Sequence, residues 1–133
     1  MVELARAYPV GALSVKDMAG RQHLSAKYLE QIMAPLKAAG IVKAVRGASG
    51  GYMLAKEPAT VRLSDIYTAL DGAPAVVGCV ADATACSRSA ACPTRGVWCE
   101  MNAAVLKVLE GTTLADLIAR SAALGAQVEA YSI

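Results

Sequence analysis

Between residues 25 and 40 the apolar side chains Leu29, Ile32, Met33 and Leu36 recur at i, i+3, i+4 and i+7, which predicts a helix with one buried stripe. Ser25 can cap it by accepting an orphan amide of the first turn, with Leu24 and Leu29 in hydrophobic-staple positions and Gly40 as the left-handed stop. Just upstream, Ser14 with Asp17 three residues later predicts a shorter capped helix to about Arg21. The period then changes. Ile41 to Val45 and Tyr52 to Ala55 are β-capable runs on either side of a glycine-rich turn, which predicts a hairpin. Ser64 is placed to cap a further helix through about Leu70. Helix, turn, helix and hairpin in that order predict a winged helix over residues 1–71, with VELARAY reading as the end of a first helix that lacks its beginning.

Residues 72–92 lack periodicity and read as a loop. From about Pro93 to Glu110, Val97, Trp98, Met101, Ala104, Val105, Val108 and Leu109 keep helical spacing, and Thr113 with Asp116 caps a last helix. A long apolar helix outside a small winged domain needs another surface to cover it, and a second copy of the chain is the simplest. Residues 93–133 are therefore expected to hold the dimerisation helix and a C-terminal helix. The fold class expected is mainly α with a small β-hairpin wing.

Composition sharpens this picture in two places. Residues 1–70 carry nine Lys or Arg against five acids, whereas residues 71–133 carry four against six, so the front half favours a polyanionic partner. All four cysteines, Cys79, Cys86, Cys92 and Cys99, fall in one short stretch. No run approaches the roughly 18 apolar residues of a membrane helix, and the N-terminal residues do not read as a basic-then-apolar leader, so a cytoplasmic protein without a membrane partner is expected. In that compartment clustered cysteines point to metal or redox chemistry rather than to structural disulfides.

The first turn of the 25–40 helix offers Ser25, Lys27, Tyr28, Glu30 and Gln31 around the face opposite its apolar stripe. Gln pairs with adenine, Glu accepts from cytosine, and Ser and Lys hold phosphates or guanine edges, so these residues are candidate readers of DNA; a plain solvated face is the alternative. In the hairpin turn, Arg46 supplies charge, while Gly47, Ser49, Gly50, Gly51 and Tyr52 belong to a wing that can approach a groove closely. Two other glycine motifs fail on context. A P-loop needs Gly-Lys-Ser/Thr opening a helix, and the GXXG of RNA-binding KH domains joins helices, not strands.

The run LSAKYLEQIMAPLKAAGIVKAVRGASGGYMLA, residues 24–55, resembles the Rrf-two family of bacterial transcriptional regulators, and similarity continues through LSDIYTALDG, the cysteine loop, Val97-Trp98 and TTLADLI. The resemblance implies a homodimer on double-stranded operator DNA, with the residues above in the recognition helix and the wing. Nothing in the sequence resembles a catalytic triad or an acid–base pair, so no enzyme activity and no small-molecule substrate are expected. Lys27 stands where some cluster-binding members have Ser, so their operator sequence does not carry over. The chain also lacks the N-terminal part of the family's first helix.

Cluster-binding members carry three cysteines just before the dimerisation helix, and Cys79-x6-Cys86-x5-Cys92 matches that pattern with one extra residue in the first gap. The resemblance implies an iron–sulfur cluster, two-iron or four-iron, on Cys79, Cys86 and Cys92, with Cys99 a further candidate ligand. Arg95 replaces the histidine that some members use as a ligand, and the sole histidine, His23, lies before the recognition helix. Zinc fits less well, because its structural sites bring ligands in closer pairs. The function expected is a repressor responsive to redox state, iron–sulfur supply or nitric oxide. The alternatives are a metal-free thiol-switch or partner-controlled repressor, and an electron-transfer or cluster-carrier protein.

Overall fold

The computed structural model describes residues 1–47 and 50–130, with side chains described to residue 124. The helices are α1 (Val2–Ala7), α2 (Val15–Gln22), α3 (Ala26–Ala38), α4 (Leu63–Asp71), α5 (Gly78–Ala81), α6 (Arg95–Glu110) and α7 (Leu114–Ala130). Strands β1 (Val42–Val45) and β2 (Gly51–Leu54) pair antiparallel, with Val42 opposite Leu54 and Val45 opposite Gly51.

The capping chemistry sets the helix boundaries. Ser14 Oγ accepts the Asp17 amide at 3.0 Å and Ser25 Oγ accepts the Tyr28 amide at 3.1 Å, opening α2 and α3 where the sequence predicts. Each such cap contributes about 1 kcal/mol. At the other end of α3, Gly40 adopts φ 67°, its amide reaches the Lys37 carbonyl, and the Ile41 amide reaches Leu36, which completes a Schellman stop. The chain can then turn directly into β1. Pro35 lies inside α3, where it leaves the Gln31 carbonyl without its i+4 amide donor.

Leu29, Met33 and Leu36 are buried, as the stripe predicts, and Ile32 packs beside them; Leu24 of the expected staple is 43% exposed. Their cluster includes Leu4 and Ala5 of α1, Met18 and Ala19 of α2, Ile41, Val42 and Leu54 of the hairpin, Val61, and Leu114 from the start of α7. Burying one such Leu contributes about 1.5–3 kcal/mol. The chain therefore returns to its first core after α6. The Leu63 amide bonds to the Thr112 carbonyl and the Leu114 amide to the Val61 carbonyl, which seats α7 beside α1.

Two boundaries and one segment differ from expectation. Ser64 does not cap α4. Arg62 holds that position, and the Asp65 carboxylate accepts its amide at 3.1 Å, so the acid at the third position of the helix fixes the start two residues earlier. The long helix begins at Arg95, with Thr94 as its cap, because the Pro93–Thr94 segment is spent on a turn. Residues 72–92 are not featureless: α5 and short 3-10 turns at Ala83–Ala85 and Ser89–Ala91 break them into steps.

Candidate nucleic-acid interface and cysteine loop

α3 is held by its buried face, and its other side is free. Ser25, Lys27, Tyr28, Glu30 and Gln31 are all exposed, Tyr28 to 51%. The cap fixes the backbone of this first turn, so a rigid helix start presents Lys, Glu and Gln to solvent. A positively charged, amide-bearing helix start of this kind can enter a major groove. His23, also exposed, takes the left-handed position that ends α2.

The wing is anchored from behind. Leu13, ahead of α2, exchanges both backbone hydrogen bonds with Tyr52, an edge contact the sequence pattern does not reveal. Tyr52 is half-buried against the core, so it serves to hold the wing in place. Gly50 and Gly51 have a packing reason to be glycine. A Cβ on Gly50 would lie 2.5 Å from the Val45 carbonyl oxygen, and one on Gly51 would meet Leu13 and come within 2.8 Å of the Ser14 amide nitrogen. Arg46 and Gly47 are exposed at the tip, and Ser49 lies outside the described residues.

The cysteines are free thiols, Cys86 exposed and Cys79, Cys92 and Cys99 half-buried. Cys92 Sγ lies 3.3 Å from Thr94 Oγ1. That hydroxyl, then the Thr94 amide, with smaller help from the Arg95 amide and the Arg88 charge, holds the Cys92 thiol below its ordinary pKa. Arg95 donates its Nε–H to the Cys79 carbonyl at 3.2 Å.

Three accessible thiols on one loop are the donor chemistry of an iron–sulfur cluster. Their placement is another matter. Among the described residues no group of three or more Cys, His, Asp or Glu side chains is close enough to hold a metal ion. The loop as it stands is thus not a preformed cradle, and cluster binding needs it to close.

Along α6 an apolar face lies open. Val97 is 56% exposed and Val108 62%, with Met101 and Val105 between them, while Ala104, Val105, Val108 and Leu109 line a shallow apolar depression. Leaving such a continuous strip in water is costly, and it is the kind of surface another protein covers. No helix among the described residues is long and apolar enough to cross a membrane.

A paired helix–turn–helix with a hairpin wing defines a winged-helix protein of the DNA-binding class. The sequence pattern of the Rrf2 iron-dependent transcriptional regulators matches residues 1–120, and the chain belongs to that family. It is similar to the regulator CymR of Bacillus subtilis, 39% identical over 117 residues that span 88% of this chain and 80% of that one. The structure of B. subtilis CymR, described as the global cysteine regulator, superposes with a TM-score of 0.75 at 38% identity, over 90% of this chain and 87% of the other. That of T. potens IscR gives 0.73 at 37% identity, over 90% and 78%. IscR of Klebsiella pneumoniae is 28% identical over 118 residues, 89% of this chain and 72% of that one. The relatives are transcriptional regulators.

Proposed function

We propose that the chain works as a homodimer whose two α3 helices read successive major grooves of an operator, and whose cysteine loop makes that reading responsive to redox or iron–sulfur state. The observation that carries the DNA-reading half is the orientation of α3: its apolar stripe is buried and all five polar candidates face out on a capped turn. In this reading Gln31, Glu30 and Lys27 contact base edges, Ser25 and Tyr28 contact the backbone, and Arg46 with Gly47 and Ser49 meets phosphate at the wing. The open strip on α6 supports pairing with a second copy, because in a two-fold dimer a single strip covers itself.

Cys79, Cys86 and Cys92 are the side chains that would hold an iron–sulfur cluster, which would supply sensitivity to oxidants and to iron. The loop leads from α4 straight into α6, so a change in its shape acts on the element that spaces the two readers. A coupling of only about 1–3 kcal/mol between loop and operator would shift affinity severalfold or more. A second reading, a thiol switch without metal, is favoured by the absence of any gathered donor set among the described residues, and the similarity to a cysteine regulator supports it too.

Anaerobic purification separates the two. Iron and inorganic sulfide in stoichiometric amounts, with a visible absorption band and operator affinity that changes when they are removed, support the cluster reading. Colourless protein whose operator affinity changes on thiol oxidation supports the metal-free switch. Affinity indifferent to both treatments contradicts the sensing role altogether.

A further inference from the structure

Helix α6 carries a second face, opposite in character to its open apolar strip. Asn102 is 8% exposed and is the only buried residue of α6. A helix that buries an amide where an apolar side chain could sit forgoes hydrophobic stabilisation, and the position makes sense only if the amide is bonded. It is: Asn102 Oδ1 accepts the Val76 amide at 3.1 Å. Arg95, seven residues earlier and so on the same side of the helix, donates its Nε to the Cys79 carbonyl at 3.2 Å. Both partners lie in the first arm of the cysteine loop, and the α5 turn that begins there packs on α6.

We propose that Arg95 and Asn102 are positioning residues that latch the leading arm of the cysteine loop, Val76 to Cys79, onto α6, so that a chemical change at the cysteines is transmitted to the helix that spaces the two DNA-reading heads. This rests on the reading of the loop as sensor and of α6 as the pairing helix. Two attachment points matter. One hydrogen bond would fix the arm's position and leave it free to swivel; two fix its direction as well. They also divide the labour. Arg95 holds the carbonyl of a cysteine whose thiol would be modified or drawn into a cluster. Asn102, two turns along the helix, holds the hinge where the loop leaves α4. When Cys79 moves, the Arg95 bond is strained first, and the buried Asn102 bond is the fixed point about which the arm turns.

The test uses the full chain with Asn102→Leu, which keeps the branched shape but loses the acceptor, and Asn102→Asp, which keeps the acceptor oxygen. Hydrogen exchange read by mass spectrometry should show the segment around Val76–Cys79 exchanging faster by about fivefold in Asn102→Leu, the loss of one ordinary hydrogen bond, with the amides of the last turns of α6 unchanged. Operator affinity is then measured before and after alkylation of the thiols with iodoacetamide. The wild type should change severalfold; Asn102→Leu should bind like the untreated wild type and hardly respond, and Asn102→Asp should recover the response. Should Asn102→Leu fail to fold, Arg95→Leu at the half-exposed start of the helix answers the same question. A variant that responds to alkylation as the wild type does, with the arm still protected, overturns the latch and leaves the sensing loop intact. A wild type indifferent to alkylation overturns the sensing loop, and the transmitting role falls with it.

Discussion

Leu13 and Tyr52 exchange amide and carbonyl in both directions, each hydrogen bond 2.9 Å long, so the residue ahead of the helix–turn–helix is stitched to the second strand of the wing. The contact closes over Gly51, whose missing side chain makes room for it. Gly51→Ala is therefore expected to break the stitch. The cost should be about 1–3 kcal/mol, the usual range for an atom forced into filled space. Urea unfolding should show a lowered midpoint, and operator binding should weaken further because the wing is displaced. An unchanged midpoint would mean the wing is held elsewhere.

Replacing Gln31 by Ala should cost about 1–3 kcal/mol against the preferred operator and relax selectivity at one base pair. Arg46→Ala, at the phosphate contact of the wing, should instead weaken binding about equally on all sequences and lower the salt slope by about one. Binding isotherms over a salt series, on the operator and on single-base variants, separate the two roles.

The open strip on α6 gives a prediction about assembly. Val108 is 62% exposed, so Val108→Asp should leave the fold of one copy unchanged while placing a charge in the paired face. Sedimentation should then report a monomer in place of a dimer, with circular dichroism unaltered. Operator affinity should fall sharply, because two half-sites are no longer read together.

At the start of α7, Thr113 and Asp116 cap each other: Asp116 Oδ2 accepts the Thr113 amide at 2.8 Å, and Thr113 Oγ1 accepts the Asp116 amide at 3.2 Å. The hydrogen bonds from Thr113 hold the Asp116 carboxyl below its ordinary value. A carboxyl lowered in the folded state stabilises the fold above its unfolded pKa, about 3.9, and that stabilisation disappears as pH falls through the folded value. Asp116→Asn should therefore be less stable than the wild type at neutral pH, with the difference shrinking below about pH 4. Thermal melts at pH 7 and pH 3 check it.

The parts of the fold that the sequence revealed share one property: they depend on neighbours close in the chain. Ser14 with Asp17, Ser25 with Tyr28, Gly40 with Ile41, and Thr113 with Asp116 are contacts over a few residues, and each was legible. Leu13 with Tyr52 spans the helix–turn–helix and leaves no local pattern, and neither does Asn102 with Val76. Ser64 misled because a good capping residue stood two places from Arg62, and Asp65 decided between them through its bond to the Arg62 amide. In the cysteine loop, the resemblance to cluster-binding members pointed to three thiols of one chemistry but said nothing of their distances, and among the described residues no three such ligands are gathered. The apolar spacing of α6 marked a strip without saying what lay beside it, where a buried Asn was invisible to a search for apolar periodicity.

The reading of DNA by α3 is tested most directly by selecting sequences that bind the reduced protein from a pool of random duplexes. A two-fold symmetric site should be enriched, with half-site centres about one helical turn, roughly 10 base pairs, apart, and Gln31→Ala should lose the preference at one position in each half. Binding that enriches no sequence above the starting pool, or an enriched site without two-fold symmetry, would contradict the account.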